Sequence, residues 1–239
     1  MAVSSSSQAG LDTFEKLEIE YEHAYGNNPL KKACVEKAIP LLPRGGRVLD
    51  VGCGTGKPVA EMLSLAGHEV LGVDISPRMV HHASARVKGS FIVADILTYE
   101  PEGEFAAIFI MFSLLQLTSY AEFHDVMFRY AKHVQPNGYL VFGTVPADNY
   151  VKNGEDYDAT GTYAVNYPVP FMGVPESNLV FSNEGLVRFV SSLGFRVVRN
   201  DLGIFKPDDK RCEPEHQQYL VAQRVGDGQV RRPQPDPTR

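Results

Sequence analysis

The segment from Val48 to Gly56, which reads VLDVGCGTG, most constrains the fold of this chain. It begins with the branched apolar residues of a buried strand and ends with three glycines in five residues. Pro58 follows, and proline suits the first turn of a helix because an N–H there would be unpaired. Glycines permit positive φ and let the backbone approach a ligand that a Cβ would exclude. The segment therefore predicts a strand, a ligand-binding loop and a helix.

Three types of cofactor loop compete for this segment. A nucleoside-triphosphate loop needs G-x-x-x-x-G-K-[ST], but Pro58 follows Lys57, and the first glycine of that pattern would fall on Val51. A dinucleotide loop needs G-x-G-x-x-G, and its third glycine would fall on Lys57. The spacing is instead G-x-G-x-G, with Asp50 two residues before the first glycine. An acid there fits a ligand that carries an ammonium group and no phosphate.

The segment Leu49–Gly56 resembles motif I of the class I S-adenosylmethionine-dependent methyltransferases. This resemblance covers about residues 40–225 and implies a Rossmann-like α/β fold. The implied sheet is mostly parallel and seven-stranded, with strand order 3-2-1-4-5-7-6 and an antiparallel seventh strand. S-adenosylmethionine is the implied cofactor, lying across the carboxyl ends of strands 1, 2 and 4. The alternative is a strand–turn–helix corner in which the glycines serve packing alone.

Two further acids follow apolar segments that are predicted to be the next parallel strands. Asp74 lies 18 residues after Gly56, and an acid at the end of the second strand points at the ribose of a ligand over the first. Asp74 could instead cap the next helix, but Ser76 and Pro77 already supply a cap and first turn. Asp95 ends the third apolar segment, and the resemblance implies that it accepts from the adenine amine.

The resemblance thus implies a cofactor site spread over several strand ends and the N-terminal helix. Ile96 is expected on the adenine ring and Ile75 and Met79 near the nucleoside, although core packing explains the last two nearly as well. The predicted cofactor-binding residues are Tyr21, Asp50, Gly52, Cys53, Gly54, Gly56, Asp74, Ile75, Met79, Asp95, Ile96 and Phe112.

The N-terminal region shows the spacing of amphipathic helices. Apolar residues from Leu11 to Tyr25 recur at helical intervals, and a second helix is predicted from about Leu30 to Leu42. The resemblance implies that an aromatic ring of the first helix, from Tyr21 or Tyr25, closes over the cofactor. Equally, both rings could simply pack on the core.

The residues after the fourth predicted strand are expected to face the methyl acceptor. Many relatives show a histidine there, but this chain has Gln116, so no general base is evident. Ser113, Gln116 and Tyr25 are predicted to position the acceptor, whereas His124 is interpreted as a surface or structural residue. An acceptor that arrives nucleophilic is therefore expected: an amine, a carboxylate or an acidic phenol.

Residues 146–182 interrupt the alternation of strands and helices with tyrosines, prolines and glycines. A loop of this length is uncommon in a compact domain unless it covers a site. We therefore predict a mobile lid insertion after strand 5, with two short strands at residues 162–167 and 178–181. Tyr163 and Tyr167 are its predicted substrate contacts. The alternative is a peripheral extension of the sheet.

Composition limits the remaining functional classes. The net charge of −6 over 239 residues argues against nonspecific nucleic-acid binding, which depends on Lys and Arg. No apolar stretch of about 18 residues occurs, so no membrane span is expected. Three widely spaced cysteines predict a reducing, cytoplasmic location and give no metal-ligand spacing. A single domain is predicted over residues 11–225, with cap helices at 11–43 and disorder at 1–10 and 226–239. The oligomeric state stays open.

The predicted activity is transfer of the methyl group of S-adenosylmethionine to an oxygen or nitrogen of a small, partly apolar metabolite. The chain lacks the Asn/Asp-Pro-Pro-Tyr acceptor motif after strand 4, and it looks most like small-molecule methyltransferases of biosynthetic and secondary metabolism. One alternative is an S-adenosylmethionine-binding protein that assists a rearrangement or acts as a regulatory partner.

Overall fold

A seven-stranded sheet organises the computed structural model, which describes residues 5–17, 19–117, 119–226 and 230–232. Its strands are β1 Arg47–Val51, β2 Glu69–Asp74, β3 Ser90–Val93, β4 Phe105–Met111, β5 Val134–Thr144, β8 Phe195–Phe205 and β9 Glu215–Arg224. The strand order is β3-β2-β1-β4-β5-β9-β8. Strand β9 runs in the opposite direction to the other six strands of this sheet. Because β8 and β9 are the sixth and seventh strands of this sheet, the predicted order 3-2-1-4-5-7-6 is confirmed.

Helices cover both faces of the sheet, as expected for parallel strands that are buried on both sides. They are α1 Ser5–Leu17, α2 Ile19–Tyr25, α3 Pro29–Ala38, α4 Val59–Leu65, α5 Pro77–Arg86, α6 Tyr120–Ala131 and α7 Asn183–Ser192. One apolar core joins α3 and α4 to the sheet, and another joins α6 and α7 to the opposite face. All seven residues of the central strand β4 are buried. In the described part of the chain, no helix is long and apolar enough to cross a membrane.

Polar side chains cap the N-termini of α3 and α5. Asn28 Oδ1 accepts from the backbone N–H groups of Leu30 and Lys31 at the start of α3, at 3.0 and 3.1 Å. Ser76 Oγ accepts from Met79 N at 3.2 Å and caps α5, as predicted. Because Ser76 performs this role, the carboxylate of Asp74 is not needed as the helix cap.

The chain termini differ from the predicted disorder. Residues 5–10 form the start of α1, because the buried Ser7 donates to Asp95 Oδ2 at 2.7 Å and ties the helix to the domain. At the other end, Val230 packs on the core and Arg231 N donates to Leu193 O at 3.0 Å. Residues 1–4, 227–229 and 233–239 lie outside the described residues. The predicted helix from Leu11 to Tyr25 is two helices, α1 and α2.

The insertion between β5 and α7 forms a separate hairpin. Strands β6 Tyr163–Phe171 and β7 Val174–Phe181 pair antiparallel with each other. They are longer than the two predicted strands and do not extend the seven-stranded sheet. A small apolar core that includes Val145, Val169 and Val180 holds the hairpin against the exit of β5.

Candidate functional site

The glycine loop is tied by backbone hydrogen bonds to the end of β2. The N–H groups of Gly52 and Cys53 both donate to Val73 O, at 2.8 and 3.0 Å. Gly54 N donates to Asp74 Oδ2 at 2.8 Å, and Ser76 N donates to the other carboxylate oxygen at 2.9 Å. These N–H donors fix the orientation of the Asp74 carboxylate. Burial raises its pKa, and the same hydrogen bonds lower it.

The three glycines of the loop serve different purposes. A Cβ on Gly54, whose φ is +53°, would point into open space. A Cβ on Gly52 would lie 2.3 Å from Cβ of Ser113, and one on Gly56 would lie 3.0 Å from the side chain of Val87. Gly54 therefore leaves room for a ligand, whereas Gly52 permits a close approach to the exit of β4. Gly56 permits packing at the end of α5, which differs from its predicted role as a cofactor contact.

A cleft of about 750 Å³ lies over the carboxyl ends of β1, β2 and β4 and is called the cofactor cavity here. Nine of the twelve predicted cofactor-binding residues line it: Tyr21, Gly52, Gly54, Asp74, Ile75, Met79, Asp95, Ile96 and Phe112. The strand-end acids are thus brought together at one edge of the sheet, as the sequence predicts.

The far end of the cofactor cavity is closed by α1. Asp95 Oδ1 accepts from Leu97 N at 2.9 Å, and its other oxygen accepts from the Ser7 hydroxyl. Ser76 Oγ donates to Glu15, and Arg78 forms an ion pair with Glu15 at 3.1 Å. Ser7 and Leu97 line this end but were missed by the sequence prediction, because neither belongs to the strand-end pattern.

A smaller corner cavity of about 420 Å³ lies beside the glycine loop, with Asp50, Cys53 and Lys31 among its lining residues. Asp50 is 2% exposed, and within the described residues its Oδ2 has no hydrogen-bond partner. Burial raises the pKa of Asp50 to about 7, although Lys31 nearby lowers it. A buried acceptor without a partner is costly. A ligand that presents a cationic donor would complete this corner.

An acceptor-side cavity of about 680 Å³ adjoins the cofactor cavity. The two share five lining residues, which are Phe14, Tyr21, Phe112, Ser113 and Gln116. Phe112 adopts a positive φ of 64° directly after β4. A bulky residue in that conformation is an outlier that often marks a functional site. The shared wall is therefore the place where groups in the two cavities would meet.

Known proteins resemble this chain in both sequence and fold. A family model described as a methyltransferase domain matches residues 48–138. A ubiquinone biosynthesis O-methyltransferase of Ralstonia nicotianae is 30% identical over 133 residues, and the match covers 53% of each chain. The chain thus spans about half the length of that relative.

Solved structures share the architecture at low sequence identity. The 1,6-didemethyltoxoflavin-N1-methyltransferase of Burkholderia thailandensis is 15% identical with a TM-score of 0.67, over 94% of this chain and 92% of that one. The magnesium protoporphyrin IX methyltransferase of Synechocystis PCC 6803 is 16% identical with a TM-score of 0.64, over 94% of this chain and all of that one. The first was solved with bound S-adenosylhomocysteine and the second with S-adenosylmethionine. Residues 48–138 thus match a methyltransferase domain, and the chain shares the fold of enzymes solved with S-adenosylmethionine or S-adenosylhomocysteine bound.

The residues of the methyltransferase domain fit this cofactor. The open space at Gly54 admits a ligand against the loop, and the fixed Asp74 carboxylate can accept from ribose hydroxyls. The unpartnered oxygen of Asp50 matches the ammonium of the cofactor's methionine end. Among the described residues, no group of three or more His, Cys, Asp or Glu side chains is arranged to hold a metal ion.

Aromatic rings from the N-terminal helices and the hairpin close the acceptor side of the methyltransferase domain. The rings of Tyr21 and Tyr25 stack at a centroid distance of 5.0 Å, and Tyr25 stacks on Phe171 at 5.9 Å. Phe14 meets Phe171 edge-on at 6.2 Å. Tyr21 lines all three cavities. The rings therefore pack together and also border the cavities, and closure of one of them over the cofactor stays a prediction.

A buried polar network forms the floor of the acceptor-side cavity. The Tyr25 hydroxyl donates to Glu215 Oε1, and Gln217 Nε2 donates to Glu215 Oε2 at 3.3 Å. Asn28 Nδ2 donates to Gln217 Oε1 at 2.8 Å. Burial raises the pKa of Glu215, while its hydrogen bonds and nearby Lys31 lower it. Burial, followed by the nearby Glu215 carboxylate, also raises the pKa of Tyr25.

The polar floor was not predicted from the sequence, although one residue beside it, Lys31, shows a recognisable pattern. Lys31 occupies the buried stripe of α3 together with Cys34, Val35 and Ala38, at i, i+3, i+4 and i+7. A lysine on the apolar stripe of a helix is unusual unless it has a specific purpose. Glu215 and Gln217 gave no comparable signal, because they lie in a β-strand far along the chain.

The hairpin presents different residues to the cavity from those predicted. Tyr163 is a core residue that stacks on Tyr120 at 4.3 Å, and Tyr167 donates to Tyr150 O at 3.0 Å. Val169, Pro170, Phe171, Glu176 and Asn178 line the cavity instead. A register shift between Ala164 and Tyr167, with a positive φ at Asn166, interrupts the alternation of β6. Such irregularities re-aim the side chains of a strand.

The predicted positioning residues lie where the two large cavities meet. Ser113 and Gln116 line both cavities, and Tyr25 lines the acceptor-side cavity. The Ser113 hydroxyl already donates to Val51 O at 2.8 Å. His124 is buried in α6, contacts Asp125 at 3.2 Å and does not border these cavities. This placement agrees with its interpretation as a structural residue.

Proposed function

We propose that the protein transfers the methyl group of S-adenosylmethionine to an oxygen or nitrogen atom of a small, partly apolar metabolite. The observation that carries this proposal is the shared wall of the cofactor cavity and the acceptor-side cavity. One cavity carries the residues that fit the cofactor, and the other is lined largely by apolar and aromatic side chains that suit a partly apolar acceptor. Biosynthesis of a small metabolite in the cytoplasm is the proposed setting. The three cysteines of the protein form no disulfide, which suits a reducing compartment.

The proposed reaction is an in-line displacement at the methyl carbon. When bound, the sulfonium supplies an activated methyl group: the acceptor lone pair forms the new bond, and the electrons of the broken C–S bond go to sulfur. Under this proposal the protein contributes positioning and exclusion of water. Asp74 and Asp95 hold the nucleoside end, Asp50 holds the ammonium, and Phe112 and Gln116 orient the reacting groups.

Relatives of this chain include proteins named as O-methyltransferases and as N-methyltransferases. We therefore propose either oxygen or nitrogen as the acceptor atom. The residues that line the acceptor-side cavity would determine which of the two is methylated.

Calorimetry with S-adenosylmethionine and S-adenosylhomocysteine tests the first half of the proposal. Saturable binding of both is expected, and no binding of either would refute it. Mass spectrometry of a metabolite panel incubated with protein and cofactor tests the second half. The expected product is heavier by one methyl group. Cofactor binding without methylation of any phenol, amine or carboxylic acid in the panel would favour the non-methylating binding protein instead.

A further inference from the structure

Lys31 is a buried lysine at the junction of two cavities. It lies on α3 just after the Asn28 cap, is 5% exposed, and lines both the corner cavity and the acceptor-side cavity. Its Nζ lies 5.1 Å from the ring centroid of Phe112, on the wall that the cofactor and acceptor-side cavities share. No hydrogen bond or ion pair joins Lys31 Nζ to another described residue. A buried ammonium in this state is costly unless a ligand supplies an anion.

The carboxylates around Lys31 either have other hydrogen-bond partners or are proposed to bind the cofactor. Glu215 accepts from Tyr25 at one oxygen and from Gln217 at the other. Asp50 is assigned by the proposed function to the ammonium of the cofactor. Glu176, on the hairpin wall, is only half-buried. Among the described residues that line the acceptor-side cavity, Lys31 is the one cation.

The rest of the cavity is suited to an apolar ring. Phe112, Val169 and Phe171 line its walls, and Lys31 Nζ lies near the face of the first of these rings. An acceptor that places an aromatic or conjugated ring between these side chains would bring a ring oxygen to Lys31.

We propose that Lys31 binds the deprotonated oxygen of the methyl acceptor, which makes the acceptor a phenol, an enol or a related oxygen acid and not an amine. This inference rests on the proposed function and adds the acceptor class to it. The acceptor would release its proton to solvent and bind as an oxyanion paired with the ammonium. The oxygen lone pair would then lie next to the shared wall, and no protein base would be required.

The ionisation of Lys31 is compatible with this role. Burial lowers its pKa to about 8, although Asp50 and Glu215 oppose the shift. Lys31 is therefore mostly protonated at neutral pH, as binding of an oxyanion requires.

The test uses 4-nitrophenol as a probe, with the protein saturated by S-adenosylhomocysteine. The phenolate form absorbs visible light, so its fraction is measured directly. Binding beside the Lys31 ammonium should lower the pKa of the probe and increase phenolate absorbance. The Lys31→Met variant should bind the phenolate about 10- to 100-fold more weakly, since one charge-assisted contact is lost. Lys31→Arg keeps the charge and should retain the spectral shift.

Lys32→Met is the matched control, because it removes the same charge from the next residue without touching the cavities. Lys32 Nζ contacts Asn27 Oδ1 at an exposed position. This variant should bind the probe like the wild type. The affinity for S-adenosylhomocysteine is measured for each variant, so that probe binding is compared with every protein saturated to the same degree.

The wild-type protein alone can overturn the inference, even where a variant fails to fold. A bound 4-nitrophenol whose pKa is unchanged or raised, or no binding up to its solubility limit, would overturn it. Tighter binding of benzylamine than of 4-nitrophenolate would also overturn it and point to an amine acceptor. These failures are separable from failure of the proposed function, because the latter would appear first as loss of S-adenosylhomocysteine binding.

Discussion

The ring of Phe171, near the tip of the hairpin, stacks on the ring of Tyr25 in α2 at a centroid distance of 5.9 Å and an angle of 27°. These residues lie in two elements that are far apart in sequence, and together they close the acceptor-side cavity. An acceptor that enters between them must separate the two rings. We therefore predict that the hairpin and the N-terminal helices form one cover over the site.

The hairpin cover should be protected by ligands. We expect amide hydrogens of residues 146–182 to exchange faster in the free protein than with S-adenosylhomocysteine and a product bound, because the cover opens locally. Hydrogen exchange with mass spectrometry measures this difference. Strand β4, which is buried throughout, serves as the internal reference. Equal protection in both states would show that the hairpin is a fixed part of the fold.

Asp74 should be required for tight cofactor binding. Its carboxylate is oriented by Gly54 N and Ser76 N toward the cofactor cavity. In Asp74→Ala, two ribose hydroxyls would lose their acceptor, at a cost of on the order of 1–3 kcal/mol. Calorimetry should show roughly 5- to 100-fold weaker binding of S-adenosylhomocysteine by the same estimate. Unchanged affinity would remove Asp74 from the ribose site.

Gly54→Val should abolish cofactor binding while the protein stays folded, because the added side chain enters the space left for the ligand. Gly67→Val is the matched control: its φ of +88° imposes similar backbone strain, and its Cβ also meets nothing within 4 Å. Both variants should lose similar thermal stability, but only Gly54→Val should lose binding. If both bind normally, the loop is a packing corner only.

Gln116 should act as a positioning residue. Its amide can donate and accept hydrogen bonds but cannot take a proton at neutral pH. Gln116→Ala should reduce turnover by less than the ~10²–10⁴-fold typical of a lost general base, with cofactor affinity nearly intact. The pH dependence of turnover should follow the ionisation of the acceptor itself. A limb that stays at one pH for acceptors of different pKa would reveal a protein base, and Glu215 would be the first candidate.

Lys31 should lower the stability of the free protein at neutral pH. Its folded-state pKa is lowered from 10.5 to about 8. Above pH 10.5, Lys31 is neutral in both the folded and the unfolded state and does not reduce stability. As the pH falls from 10.5 to about 8, the unfolded state takes up the proton first, and the free energy of unfolding decreases. Lys31→Met should raise the free energy of unfolding at neutral pH by on the order of 1–3 kcal/mol.

Thermal unfolding at several pH values measures this effect of Lys31. The difference in Tm should shrink between pH 8 and pH 10.5. The groups that face Lys31 are Asp50 on β1, Glu215 on β9, and Tyr21 and Tyr25 on α2. Asp50 acts in the opposite sense at lower pH, because its raised pKa reduces stability as the pH rises from 3.8 to about 7. A Tm difference that does not depend on pH would show that packing, and not charge, is responsible.

The sequence by itself determined the sheet and the cofactor side of the site. The glycine loop, Asp74 and Asp95 are local patterns at strand ends, and parallel strands bring their carboxyl ends to one edge. Residues placed in this way need no detailed packing to converge. For that reason the strand order of the sheet was predictable, and nine of the twelve predicted cofactor-binding residues line the cofactor cavity.

Only the tertiary structure decided the acceptor side. Lys31 and Glu215 are far apart in sequence and meet because α3 packs beside β9. On either side of a register shift in β6, Tyr163 packs in the core and Phe171 lines the cavity. Gly56 became a packing residue because α5 lies close to it. Such outcomes depend on how helices, loops and bulges pack against each other, and no periodic pattern in the sequence encodes that packing.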